Sequence, residues 1–364
     1  MSLLHQIALT KVKGIGPILG RHLVSRFGNA EAVFSASKQE LTTIPGIGGH
    51  LADAILHAGA LHEAENELRF VEKHRIQVLF SGNKDYPKRL DECPDAPLLL
   101  YYKGCADLNA ARMVSIVGTR NATSYGKAVC SEFIEALLPY HTTVISGLAY
   151  GIDSFAHRNA LTHGISTIGV LGHGLDRIYP AANREMAAKM LDCGGLLTEF
   201  PSGTKPDRQH FPMRNRIIAG LADVVIVVEA AAKGGALITA EIANTYNRDV
   251  CAFPGNLNQA FSAGCNYLIK TNRAHLITSV KDLAYLMNWE PEAKRTSSGQ
   301  LELPISLGAP EQRVYDAIQA AGQMAIDDLL LKLQWPQSKL AITLLEMELK
   351  GVIAALPGKI YRAI

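Results

Sequence analysis

The sequence predicts an α/β protein, a doubly wound and mostly parallel sheet carried between two small helical modules. Three observations predict it. Short β-branched runs alternate with helical patterns from Arg112 to Asn288. Two glycine hairpins, each opening an apolar helical pattern, recur within residues 1–60. A stretch at 290–309, mixing Pro, Ser, Gly and charge without period, reads as a linker before a compact tail.

In the first module, KGIG at 13–16 precedes an apolar pattern through Leu19, Leu23 and Phe27. PGIG at 45–48 precedes another through Leu51, Ala54 and Ile55. This resembles a tandem helix-hairpin-helix module over 1–60, whose turn N–H groups hold a DNA phosphate in some proteins and only shape the turn in others. Residues 61–111 form an extension of the central domain: a helix at 61–74, a strand at 77–80, a loop at 85–87 and a strand at 98–102. The core, 112–288, has predicted strands at 113–117, 143–146, 166–171, 196–199, 224–228, 250–253 and 275–277. Short buried strands separated by helices mean a parallel sheet with right-handed crossovers, here a Rossmann-like domain over 61–289. Residues 310–364 show helical patterns at 311–320, 326–333 and 336–350, then a strand pair turning at Pro357-Gly358. That is the winged-helix pattern. Its third helix is nearly charge-balanced, which favours a protein-contact or structural role over reading duplex DNA.

Composition narrows the function. The 364 residues are 48% hydrophobic and 19% charged, enough for a sizeable core and two or three domains. A net charge of +2 requires any nucleic-acid site to be locally basic. Six cysteines without CxxC pairing read as reduced, mostly buried thiols of a cytoplasmic protein. No signal peptide is read at the start. The longest apolar run, 217–232, is broken by Asp223 and Glu229, so no membrane span is expected.

Ligands of an open α/β sheet bind beyond the carboxyl ends of its strands. The loops there hold Gly118 and Arg120, then Ser146, Gly147 and Gly151, then Asn183 and Arg184. Lys205, Arg208, Phe211, Arg214 and Asn215 follow the fourth core strand, and Lys233, Gly234 and Gly235 the fifth. Residues 201–216 carry four Lys or Arg against one Asp. Arg214-Asn215-Arg216 is expected at a helix start. Basic side chains, glycines and helix N-termini at one sheet edge make a phosphate site. Arg120 either grips phosphate or pairs with Glu199 or Glu229. Arg216 is read as structural, beside Glu229. Asn215, Asn183 and Asp153 are read as helix caps at least as readily as ligand contacts. His173 and His210 are read as hydrogen-bonding or solvated residues. Among Tyr125, Tyr150, Tyr179 and Phe211, the strongest candidate to stack an unpaired base is Phe211. There is no GxSxG elbow, Walker A motif or GxGxxG spacing, no metal-spaced His/Cys cluster and no paired-carboxylate nuclease site. No catalytic residue, metal or cofactor is therefore expected.

The chain resembles the DNA-processing protein A (DprA/Smf) family. The resemblance rests on VGTR at 117–120, SGLAYGID at 146–153, GLDxxYPxxN at 174–183, TEFP at 198–201, FPMRNRIIAGL at 211–221, GGALITA at 234–240 and FPG at 253–255. It spans essentially the whole chain. Gly234, Thr198 and Arg273 depart from the usual Ser, Ser and Gly. The resemblance implies a dimeric single-stranded DNA-binding protein of natural transformation. Such a protein protects incoming strands and helps load the RecA recombinase, with single-strand-binding protein as competitor. It also implies phosphate-gripping roles for Arg120, Ser146, Gly147, Gly151, Arg184, Arg214 and Asn215. The rival readings are a nucleotide phosphoribohydrolase, whose GGxGT-x-x-E loop GGALITAE echoes imperfectly through Glu241, and a nucleotide-ligand sensor.

Overall fold

The computed structural model describes residues 2–291, 307–356 and 358–363. Most of the predicted linker, 292–306, lies outside them. The chain divides into two compact units, Met1–Glu292 and Ala293–Ile364.

The first unit opens with six helices: α1 Leu3–Lys11, α2 Pro17–Phe27, α3 Ala30–Ser35, α4 Lys38–Thr42, α5 Gly49–Leu56 and α6 Gly59–His74. Gly14 (φ +92°) and Gly46 (φ +90°) take the left-handed turns that an L side chain resists, and Gly16 and Gly48 sit at the helix starts just after them. The helical module does not keep a core of its own. Ile7, Leu23, Leu41 and Ile55 share one apolar cluster with Phe80, Leu98, Leu99 and Tyr101 of the extension.

The extension contributes β1 Gln77–Phe80, α7 Lys88–Asp91 and β2 Leu99–Gly104. The core then alternates: β3 Met113–Val117, α8 Ser124–Ala136, β4 Thr143–Ser146, α9 Ile152–Thr162, β5 Thr167–Val170, α10 Arg184–Cys193, β6 Gly195–Thr198, α11 His210–Leu221, β7 Val224–Val227, α12 Gly235–Thr245, β8 Asp249–Ala252, α13 Ala263–Lys270, β9 His275–Leu276 and α14 Val280–Met287. The sheet order is β1-β2-β6-β5-β4-β3-β7-β8-β9. The run from β6 to β9 is parallel, while β1 and β2 add antiparallel strands at the β6 edge. Strand residues alternate between two cores. In β7, Val225 and Val227 join the cluster under α11 and α12, whereas Val224 and Ile226 join the one under α8. Complete burial of each such side chain is worth about 1.5–3 kcal/mol, which is why these runs read as uninterrupted apolar strands.

Polar anchors fix the helices on the sheet. Arg89 grips Asp223 through Nε–Oδ1 at 2.6 Å and Nη2–Oδ2 at 3.1 Å, and Asp223 also accepts the Met113 N–H. Glu67 on α6 accepts the backbone N–H and hydroxyl of Ser202 at 2.8 and 2.7 Å. On the same β6–α11 loop, the Gly203 N–H donates to Asp176 of the β5–α10 loop at 3.0 Å.

The second unit holds α15 Ala309–Ala321, β10 Gln323–Ala325, α16 Ile326–Leu333, α17 Gln337–Leu349, β11 Ile353–Leu356 and β12 Ile360–Ala363. Its sheet order is β10-β12-β11, and Val314, Ile318, Leu329, Leu340, Leu344 and Met347 form its core. Three helices and a wing are present as predicted; β10 is an addition.

Candidate nucleic-acid interface

The sheet order reverses beside β3: the chain winds from β3 to β4, β5 and β6 on one side, then returns to β7, β8 and β9 on the other. The loops leaving β3 and β7 therefore diverge, opening the crevice in which such sheets bind ligands. A cleft of about 690 Å³ lies there. Gly118, Thr119 and Arg120 line it after β3, and Ala230, Ala231 and Lys233 after β7. Gly234, Gly235 and Thr239 at the start of α12, and Arg208, Phe211, Arg214 and Asn215 at and around α11, complete most of its wall.

Close packing fixes the β3 loop. The Thr119 N–H donates to the Glu229 carbonyl at 2.7 Å. A Cβ on Gly118 would come within 2.5 Å of Ile152, and one on Gly126 within 2.0 Å of the Glu229 carboxylate. Glu229 accepts the Thr123 N–H and hydroxyl, so it anchors the residue that caps α8. Neither Glu229 nor Glu199 pairs with Arg120. The exposed Arg120 guanidinium lies 5.7 Å from the Phe211 ring, and that ring lies 6.2 Å from Tyr179 at a 34° tilt. Arg120, Arg208 and Lys233 have no carboxylate partner among the described residues. Cations left unpaired beside a stacking ring suit an anionic ligand with aromatic bases. Gly234 and Gly235 leave open space where a Cβ would stand, apart from Asn215 Nδ2 at 3.8 Å from Gly235. The α12 N-terminus is thus open to the cleft, and the Gly234 departure costs no contact.

Arg214 and Asn215 correct the sequence reading. They sit in the middle of α11, which already starts at His210, and both are buried. Arg214 Nη1 donates to the Gly147 and Val170 carbonyls, tying the ends of β4 and β5 to α11. Burial pulls its pKa down to about 10, and Asp153 opposes that fall. Asp153 is itself pushed upward by burial against the pull of Arg214. The pair forms the cleft floor. Asn215 caps nothing: its amide donates to the Gly235 carbonyl at 3.3 Å and holds the glycine turn. Arg216 is structural, as read, but its partner is Glu199, with Asp95 at 4.0 Å, and not Glu229.

Other expected rim residues lie beneath the rim. The buried Ser146 hydroxyl donates to the Ile116 carbonyl at 2.6 Å, and Gly147 is packed under Arg214. Asn183 is buried and sits at the N-cap position of α10 as read, but its side chain makes no capping bond; its amide instead braces the Leu148 carbonyl and the Ser154 hydroxyl, both at 2.9 Å. Asp153 lies within the first turn of α9, whose N-cap is Gly151, so it is no cap either. Gly151 packs against the Thr119–Arg120 backbone. Arg184 and Lys205 are exposed but outside the cleft lining. His173 is buried against the Gly174 carbonyl, and burial lowers its pKa. The His210 ring stacks on Phe200, their centroids 4.4 Å apart. Tyr125 donates to the Pro254 carbonyl outside the cleft. Sequence reasoning misses Ile238 and Thr239 as lining residues. The glycine pair beside Ile238 and Thr239 is the available signal.

Among the described residues no His/Cys/Asp/Glu group could hold a metal ion, and no helix is long and apolar enough to cross a membrane.

Fold and cleft define a Rossmann-like protein with a basic, glycine-walled switch-point site. Residues 77–288 match the family described as DNA recombination-mediator protein A; residues 301–359 match the DprA winged helix domain and 7–58 a SAM-like helix-hairpin-helix tandem. The chain is 39% identical to the Smf protein of Synechocystis, over 76% of this chain and 70% of that one. It is 34% identical to Escherichia coli Smf, over 82% and 80%. The crystal structure of Streptococcus pneumoniae DprA superposes with a TM-score of 0.66 at 32% identity, covering 80% of this chain and 99% of that one. A Helicobacter pylori DNA processing protein A, whose structure concerns single-stranded DNA binding, superposes at 0.54 and 30% identity, covering 59% and 98%. The chain belongs to the DNA recombination-mediator protein A (DprA/Smf) family.

Proposed function

We propose that this protein binds single-stranded DNA during DNA processing for natural transformation, and does so without covalent chemistry. The observation that carries the reading is the Tyr179–Phe211–Arg120 stack at a cleft whose exposed cations are unpaired. Arg120, Arg208 and Lys233 take phosphates, Phe211 takes a base, and the open N-terminus of α12 adds N–H groups. Arg214, Asn215, Ser146, Gly147, Gly151 and Asn183 hold the cleft's shape. The family supports a recombination-mediator role, in which RecA receives the bound strand, single-strand-binding protein competes for it, and the protein acts as a cytoplasmic homodimer. Binding is favoured over hydrolysis because Glu241, the acid of the phosphoribohydrolase reading, is paired with Arg273 outside the cleft lining.

The test is a salt-dependent titration against single- and double-stranded oligonucleotides. Arg120→Ala should lower the slope of log affinity against log salt by about 0.7, the single-strand value per contact. Phe211→Ala should cost about 1–3 kcal/mol and leave the slope alone. A folded Arg120→Ala/Phe211→Ala protein with unchanged affinity would overturn the proposal, as would release of base from a nucleoside monophosphate that disappears on Glu241→Gln.

A further inference from the structure

Arg120 lines a second cavity of about 540 Å³ with Lys127, Tyr150, Gly151, Phe155 and Arg158. That lining holds three cations and no acid. Lys127 and Arg158 are exposed and have no carboxylate partner among the described residues. They come from different helices, α8 and α9, yet converge on one ring: Lys127 Nζ lies 5.1 Å and Arg158 Cζ 5.5 Å from the Phe155 centroid. The aromatic surface holds two flexible cationic chains in place, which cuts the ordering entropy of a phosphate contact. Tyr150 stands beside them, 52% exposed. The two cavities are neighbours by construction. A Cβ on Gly151 would lie 2.2 Å from the Thr119 carbonyl and 2.5 Å from the Arg120 backbone, so the loop carrying Tyr150 is pressed onto the loop carrying Arg120.

We infer that this groove is a second single-strand subsite, into which a strand seated in the switch-point cleft continues past Arg120, placing phosphates on Lys127 and Arg158 and a base on Tyr150. The inference rests on the proposed single-strand binding at the first cleft. A polyanion with aromatic bases fits the groove better than an acidic peptide, because the exposed tyrosine offers a stacking face in the same groove as the cations. Within one strand, the second set of contacts is intramolecular once the first is made, so it adds affinity only to strands long enough to reach.

The experiment measures affinities of the full chain for homopolymers of about 5 and about 16 nucleotides, the span of common single-strand site sizes. Lys127→Gln/Arg158→Gln should leave the short strand's affinity unchanged and weaken the long one by about tenfold. It should also flatten the long strand's salt slope by about 1.4, two contacts at about 0.7 each. Tyr150→Ala should weaken only the long strand and leave its slope intact. Equal losses for both lengths, or no loss for either in a folded protein, would overturn the second subsite. Failure of the unaltered protein to bind the short strand, or its indifference to Arg120→Ala, would instead strike at the first cleft.

Discussion

Arg214→Met should damage stability, and the damage should shrink in acid. The guanidinium donates to the Gly147 and Val170 carbonyls and faces Asp153, all beneath the cleft. Methionine fills much of the same space but satisfies neither carbonyl. Each buried carbonyl left without a donor costs about 1–3 kcal/mol. The larger effect is on Asp153, whose pKa is already raised by burial with Arg214 the largest opposing influence. Breaking a buried pair by removing one partner typically costs about 3–5 kcal/mol. At neutral pH the variant must either hold a bare carboxylate or protonate it, at about 1.4 kcal/mol for each pH unit between the working pH and the folded pKa. The sign comes from that direction. A carboxyl whose folded pKa lies above its unfolded value is worth most when protonated. The stability it contributes is therefore fully present below the unfolded pKa and is lost as pH rises through the folded one. Arg214→Met raises the folded pKa further and leaves the unfolded one alone. The gap to the unaltered protein should thus be widest near pH 7 and narrow on acidification. With a urea slope of about 3 kcal/mol per molar, the neutral midpoint should fall by about 1 M or more. Urea unfolding of both proteins at pH 7 and pH 5 gives the answer. An unchanged midpoint at pH 7, or a gap that widens at pH 5, would refute the reasoning. It would return Arg214 to the role of a free phosphate ligand.

Two glycines make a contrasting pair: Gly234→Ser should be neutral in stability and binding, since its Cβ meets nothing, whereas Gly151→Ala (φ +77°, backbone 2.2 Å away) should destabilise, which thermal unfolding of the two variants will check. A truncation after Glu290 removes the second compact unit and should keep most single-strand affinity, measured by isotherms at one salt concentration. A loss of about a hundredfold, about 2.7 kcal/mol, with an intact circular-dichroism spectrum would make the tail part of the main site.

The sheet is legible in the sequence because its central strands, β3 to β7, are buried on both faces. All seven core strands fall within a residue or so of where β-branched runs place them. The α11 start is not legible. Pro212 follows Phe211 and suggests a loop, but proline is tolerated in a first turn because the N–H it lacks is one the helix leaves unbonded there. The sequence therefore puts Arg214 at an open helix end, when it lies a full turn further in and under the packing. Ser146 and Asn183 mislead for a related reason. A polar residue at the mouth of a loop looks like a ligand contact until its partner is known, and both partners are backbone or hydroxyl groups distant in sequence. Arg216 is readable as structural from its apolar neighbours, while its acid is not, because Glu199 and Glu229 both follow strands at the same sheet edge. The strand β10 is three residues long and carries no alternation to detect.

The carboxylate of Glu67 reaches out of the helical front and holds Ser202, three residues before Lys205 and six before Arg208. Two groups of the loop are thereby moored to a helix that carries no cleft residue. Cutting away the front through α6 would bare the apolar side of β1 and β2 and unmoor the basic loop in one stroke. Weakened DNA binding in such a deletion would then report on a loosened loop as readily as on lost hairpin contacts. Glu67→Gln is the sharper instrument: it slackens the mooring while leaving both glycine hairpins in place, so it separates a module that touches DNA from one that merely steadies the part that does.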